Sequence, residues 1–200
     1  MVTPTLQLLV LLILSLVSAA SLEASPVVLD FEALSDLESV TTQFSPLTFS
    51  NTIALTASIS LNEFEFPPVS GDVVVSDDFG PMTIEFGVTV TSLGAFFTYL
   101  VPLTLEAFDS TDTVVDSALS AFSSNLALSG DLGSSPNELL SVAFSGGISR
   151  LTITGDAFGG SFTLDDATYT TVTAVHEPSS SALLLLGLLW VAVRRKAINQ

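Results

Sequence analysis

The chain has 200 residues, with 21 acidic side chains against 4 basic ones, a formal net charge of −17, one histidine and no cysteine. This charge makes nucleic acid and anionic membrane surfaces poor partners, and the missing cysteine excludes disulfides, thiolate nucleophiles and cysteine-ligated metals. All acidic residues except Glu23 and Glu177 lie in residues 25–174, where Arg150 is the one basic residue.

The N-terminal segment, residues 1–24, is predicted to be a secretory signal peptide that forms a short helix. An apolar run extends from Leu6 to Val17. Small residues then follow at Ser18 and Ala20, which suits signal cleavage, with Ala24 as a second possible site.

Short alternating segments fill residues 25–173 and predict an all-β domain. Period-two runs rich in Val, Ile, Thr and Phe are typical of strands, and clusters of Gly, Pro and Asp separate them. The connections are too short for crossover helices, so we expect roughly ten strands in an antiparallel β-sandwich of jelly-roll type. Residues 117–128 are a weak helical candidate, and the SGG at 145–147 and the FGG at 158–160 are expected to be turns.

The aromatic residues argue against an obvious sugar-binding surface. Alternation, as in residues 103–108, places large side chains on one strand face, so most of the 14 Phe residues are expected in the core. Exposed Trp or Tyr would suit the flat faces of pyranose rings, but the chain has only Trp190, in the tail, and Tyr99 and Tyr169.

Three groups of acidic residues are candidates for structural calcium, because calcium takes about six to eight oxygen ligands. The groups are Asp77 with Asp78, Asp109 with Asp112 and Asp116, and Asp165 with Asp166. Turn formation and a solvated surface are the alternative for the first two groups, because Asp caps turns with its own side chain. Asp165 and Asp166 lie within a strand pattern, where Asp is disfavoured, so this pair needs a compensating partner. No pair of carboxylates is singled out for glycosidase chemistry, so no enzyme activity is expected.

The C-terminal segment, residues 174–200, has the layout of a short membrane anchor. A motif at 175–178 precedes an apolar run at 182–193 and a basic end at 194–196. The run forms a transmembrane helix of only about 18 Å, against a hydrocarbon core of about 30 Å. An anchor held long enough to be cut is therefore expected, with its basic end in the cytoplasm.

This tail resembles the PEP-CTERM sorting signal of exopolysaccharide-producing bacteria, which an exosortase reads. The matching residues are Glu177, Pro178, the apolar helix and the basic residues Arg194, Arg195 and Lys196, while His176 stands where the family has its first proline. The resemblance implies export, transient anchoring in the inner membrane, an exosortase-type processing enzyme as partner, and delivery to the cell envelope or the extracellular matrix.

The two ends of the body carry a second, looser resemblance. LDFEAL opens the first predicted strand and FTLDDATY closes the last. This order is similar to carbohydrate-binding sandwich domains in which acids of the first and last strands hold a structural calcium ion. The resemblance implies a calcium site at Glu32, Asp165 and Asp166.

Two functional hypotheses follow. The first is a noncatalytic exported protein, sorted to the bacterial cell envelope or exopolysaccharide matrix by its C-terminal segment. The alternative is a lectin-like module that binds the matrix polysaccharide itself.

Overall fold

The alternating pattern forms strands throughout the part of the chain that the structure, a computed structural model, describes. It describes the backbone of residues 21–175 and the side chains of residues 26–171. There are nine strands and no helix in this range, and every strand pair with a described register is antiparallel. The all-β antiparallel prediction is confirmed. The strands are β1 (Ser21–Leu29), β2 (Leu47–Ser50), β3 (Thr52–Thr56), β4 (Val73–Asp78), β5 (Met82–Tyr99), β6 (Thr104–Phe108), β7 (Val114–Leu119), β8 (Glu138–Thr154) and β9 (Gly159–Val175).

The sheet runs in the order β3-β4-β9-β5-β8-β6-β7, with β1 beside β9 and β2 beside β5. The long strand β5 changes neighbours along its length. Its first part lies between β2 and the end of β8, through pairs such as Ile84 with Phe49 and Leu151. Its last part lies between β9 and the start of β8, through pairs such as Phe97 with Leu164 and Glu138.

Two sequence expectations about local structure are wrong. The predicted turn at residues 145–147 lies inside β8, because Gly147 (φ +101°) sits near a register shift and lets the strand continue through an irregularity. The weak helical candidate at 117–128 begins as the end of β7 and continues as bends and a turn. Pairing of β7 with β6 overrides the local pattern there.

One buried cluster forms the core of residues Ala24–Val172, which are a compact unit. Burial alternates along β6 as predicted, and the Phe31 ring meets Phe44 and Phe49 edge-on at centroid distances of 5.3 and 6.4 Å. Such aromatic pairs add to the free energy gained by burial.

The two predicted targeting segments lie almost wholly outside the described residues. These are the signal peptide at 1–24 and the sorting tail at 174–200 with its helix at 182–193. Within the described range, no helix has the length and apolar character that crossing a bilayer requires.

Candidate functional site

Glu32, which the sequence predicts as a calcium ligand, holds a loop in place. It follows β1, and its carboxylate accepts hydrogen bonds from the backbone N–H groups of Asp72 (3.1 Å) and Val73 (3.0 Å). Gly71 makes this possible, because a Cβ on it would lie 2.1 Å from Cδ of Glu32. The loop can therefore wrap the carboxylate only with glycine at that position.

Asp165 holds the other end of the same loop. Its Oδ2 accepts hydrogen bonds from the N–H groups of Val69 (2.7 Å) and Ser70 (3.1 Å), and its Oδ1 accepts one from Asp166 (2.8 Å). Asp166 has φ +47° at an irregularity in the β5–β9 pairing, and Ser70 Oγ donates to its carboxylate (2.9 Å). The compensating partner that the Asp pair needs is thus the loop Val69–Val73.

As arranged, Glu32, Asp165 and Asp166 do not fit a shared calcium ion. The described part of the chain contains no group of three Asp, Glu, His or Cys side chains that could hold a metal. The oxygens of Glu32 and Asp165 already accept backbone N–H groups, so each of these two carboxylates has a partner without a cation. Structural calcium stays a prediction from the sequence.

The second calcium candidate divides into a buried and a partly exposed carboxylate. Asp77 is 2% exposed, and it accepts hydrogen bonds from the N–H groups of Ser161 (2.8 Å) and Phe162 (3.0 Å) and from Ser161 Oγ (2.8 Å). Burial raises the pKa of Asp77, and these hydrogen bonds oppose the rise. Asp78 is half-buried, and its carboxylate makes no hydrogen bond within the residues whose side chains are described.

The third candidate group has separate local roles. Asp109 accepts hydrogen bonds from the hydroxyl of Thr111 and from the N–H groups of Thr113 and Thr111, which shape a turn, and these bonds lower its pKa. Asp112 forms an ion pair with Arg150, the one basic side chain of the described range. Asp116 accepts the N–H of Ala143 on β8 (2.7 Å).

Sequence reasoning missed an exposed pair of phenylalanines. Most of the 14 Phe residues are buried or half-buried, as predicted, but Phe79 is 87% exposed, Phe158 is 86% exposed and Phe64 is 71% exposed. Phe79 and Phe158 share a local signal, because each precedes glycine in an acidic turn, DDFGP and DAFGG. Tyr99 and Tyr169 are buried and offer no surface.

The turns that carry Phe79 and Phe158 lie side by side. Asp78, before Phe79, is the register partner of Gly159, which follows Phe158. A Cβ on Gly159 would lie 2.6 Å from the backbone N of Phe79, so glycine (φ +82°) permits the close approach. Phe79 itself has φ +61°, a conformation that bulky side chains rarely adopt.

Two open concavities are alternatives to this pair of turns. One, of about 480 Å³, lies over β5, β8 and β9 and is lined by Asp166, Phe96 and Leu139 together with small and hydroxyl-bearing residues. The other, of about 590 Å³, lies beside Gly147, with Asp109 in its lining.

The sorting-motif residues cannot be placed in this geometry. His176, Glu177, Pro178, Arg194, Arg195 and Lys196 lie outside the described residues.

The chain matches no protein-family model and no curated protein. Among solved structures it is similar to the K2 cleaved adhesin domain of Lys-gingipain (13% identity, 74% of this chain and 100% of that one, TM-score 0.46). It is also similar to TmCBM61 in complex with β-1,4-galactotriose (13% identity, 66% and 90%, TM-score 0.36). A third similar structure is the K3 cleaved adhesin domain of Lys-gingipain from Porphyromonas gingivalis (11% identity, 74% and 99%, TM-score 0.33). These similarities assign no family to the chain.

Proposed function

We propose that this chain is a noncatalytic exported protein that a C-terminal sorting segment delivers to the bacterial cell envelope or the exopolysaccharide matrix. The order of segments supports the proposal: an apolar N-terminal run, an acidic β domain, the Glu177–Pro178 motif, a second apolar run and a basic end. On this proposal the partners are an exosortase-type processing enzyme and, transiently, the inner membrane.

The use of carboxylates inside the β domain is the structural observation that carries the noncatalytic part of the proposal. Glu32, Asp77 and Asp165 each accept at least two backbone N–H groups from another segment. Carboxylates engaged in this way hold loops in place. These three carboxylates therefore suit a structural role better than acid–base chemistry, which needs a carboxylate that can exchange its proton with a substrate.

We also infer that the domain is a two-layer sandwich of jelly-roll type. The change of neighbours along β5, from β2 to β9, supports this inference, because strands that pass between two layers change partners with a register shift. One buried cluster includes residues from both parts of β5, such as Ile84 and Phe97, which also fits a sandwich.

Cell fractionation with mass spectrometry of the mature termini tests the sorting proposal. We expect a processed protein in the envelope or medium, and we expect Glu177→Ala, or removal of Arg194–Lys196, to reduce surface delivery severalfold. Glu85→Ala, a matched change at an exposed acid of the β domain, should leave delivery unchanged. An intact Met1–Gln200 chain in the cytosol would overturn the proposal.

A second candidate function, a lectin-like module for the matrix polysaccharide, is favoured by one observation. Phe79 and Phe158 expose most of their rings on neighbouring turns, although apolar rings are normally buried. Retention of the full-length chain on the producer's own polysaccharide, lost in excess free sugar, is the expected result. If the chain is not retained either with or without calcium, the lectin-like function is rejected and the structural role remains.

A further inference from the structure

We propose that Phe79 and Phe158 form a two-ring platform that stacks on the pyranose rings of a neutral polysaccharide. This inference rests on the lectin-like function and names its site and ligand class. The two rings lie on adjacent turns, through the Asp78–Gly159 register pair, and each is more than four-fifths exposed. Two exposed aromatic rings on neighbouring turns place apolar surface in contact with water, which is unfavourable unless a ligand covers it.

The platform is rigid because buried groups hold both turns. Asp77, immediately before the first turn, accepts three hydrogen bonds from Ser161 and Phe162, immediately after the second turn. Ser161 Oγ in turn accepts the N–H of Asp156 (2.9 Å) at the start of the second turn. A site whose parts are fixed before binding loses less conformational entropy when the ligand arrives.

The first turn is also held on its outer side. Asn51 Nδ2 donates to the carbonyl of Pro81 (2.9 Å), and the N–H of Asp78 donates to the carbonyl of Asn51 (2.9 Å). These bonds hold the backbone on both sides of Phe79, whose left-handed conformation (φ +61°) is unfavourable for a bulky residue.

The chemistry around the rings selects a neutral glycan. One face of a pyranose ring presents C–H groups, which suit the electron-rich face of an aromatic ring, and its hydroxyls point outward as donors. Asp78, whose carboxylate has no partner in the described part of the chain, and exposed Asp156 offer acceptors beside the rings. The net charge of −17 repels acidic polysaccharides and anionic lipid surfaces.

Affinity electrophoresis of the full-length chain tests the proposal. The gels contain a neutral polysaccharide (mannan, galactan or soluble cellulose derivative) or acidic alginate. We expect retardation by at least one neutral polysaccharide and none by alginate. Phe79→Ala and Phe158→Ala should each weaken binding about tenfold, which is about 1.4 kcal/mol, because each variant loses the burial of one apolar ring face against the sugar.

Phe64→Ala is the matched control, because Phe64 is a comparably exposed ring on the loop between β3 and β4. We expect it to bind like the parent, and all three variants should melt like the parent, since the rings make little contact with the core. Retardation that survives the double variant Phe79→Ala/Phe158→Ala overturns this platform but leaves glycan binding standing. Failure of every neutral polysaccharide to retard the parent overturns this platform, whereas the lectin-like function is decided by retention on the producer's own polysaccharide. Binding to phosphatidylcholine vesicles that depends on the same two rings overturns the choice of glycan as ligand.

Discussion

At the residue scale, backbone N–H groups take the place of basic side chains as partners for the buried carboxylates. Asp77 and Asp165 are both buried, and each accepts hydrogen bonds from two backbone N–H groups of other segments. Burial raises the pKa of both carboxyls, while the hydrogen bonds favour the charged form and oppose the rise. Arg150 is committed to Asp112 and stacks over Phe108.

Asp77→Ala should destabilise the protein by about 3 kcal/mol, because it leaves the N–H groups of Ser161 and Phe162 buried without an acceptor. Urea unfolding of the full-length chain at neutral pH measures the loss. Asp78→Ala is the matched control, and we expect it to change stability by less than about 0.5 kcal/mol. Equal effects of the two substitutions would contradict the structural role of Asp77.

Tyr99 should ionise far above the ordinary range for tyrosine. Burial, and then its hydrogen bond to the Glu138 carboxylate, raise the pKa of Tyr99 to about 12. Because the folded-state pKa lies above the unfolded value of about 10, the contribution to stability is present below pH ~10 and is lost as pH rises through about 12. Spectrophotometric tyrosinate titration with alkaline unfolding measures both effects. Tyr99→Phe should remove this component of the titration, and tyrosinate formation near pH 10 in the folded parent would refute the assignment.

At the scale of elements, the loop Val69–Val73 joins the start of the domain to its last strand. Glu32 binds one end of the loop and Asp165 binds the other. We therefore expect that loss of either carboxylate would also weaken the hydrogen bonds that the loop makes to the other one. Gly71 is the single glycine of the loop, and any side chain at this position would collide with the Glu32 carboxylate.

Gly71→Ala should cost more stability than the same change at Gly133. Both residues have positive φ, +51° and +86°, so both changes carry a backbone strain of about 1 kcal/mol. Only at position 71 does the new Cβ meet Glu32, whereas Gly133 has nothing within 4 Å. Displacing the carboxylate from the N–H groups of Asp72 and Val73 should add about 1 kcal/mol, measured by thermal unfolding, because water can reach these partly exposed groups. Similar losses at the two glycines would show that Glu32 does not hold the loop.

At the scale of the whole molecule, self-repulsion of the acidic side chains opposes the folded state. The described range contains one ion pair, Arg150 with Asp112, so cations in solution must supply most of the screening. Specific calcium binding and general screening make different predictions about melting. Because Glu32 and Asp165 already accept backbone N–H groups, we expect general screening of charge and not a specific calcium site.

We expect calcium and magnesium chlorides at matched concentration to raise the melting temperature equally. The reason is that the carboxylates of Glu32 and Asp165 are paired with loop amides, and the described residues include no group of three acidic side chains that could hold one ion. Scanning calorimetry of the parent and Asp166→Ala, with sodium chloride of matched ionic strength as reference, measures this. A calcium-specific rise that Asp166→Ala removes would instead establish the calcium site that the sequence predicts.

The predictability of the candidate sites differed by residue. The acidic pair Asp165–Asp166 stands out in the sequence as a strand position that needs compensation, and compensation is present in the structure. The partner is a loop about 95 residues earlier in the chain, and no local sequence pattern predicts a contact over that separation. The expectation that most Phe residues lie in the core does not single out Phe79 and Phe158, although their Phe-Gly turns carry a usable signal.

The sequence by itself determined the class of the domain, because alternation of apolar residues and turn clusters are local properties that specify strands without reference to partners. It also determined the charge balance. Only the tertiary structure decided that β5 is one long strand that changes neighbours, that the loop Val69–Val73 binds Glu32 and Asp165, and that the turns carrying Phe79 and Phe158 lie side by side. These features depend on strand register and on hydrogen bonds between distant segments, and long-range pairing is set by the packing of the whole domain.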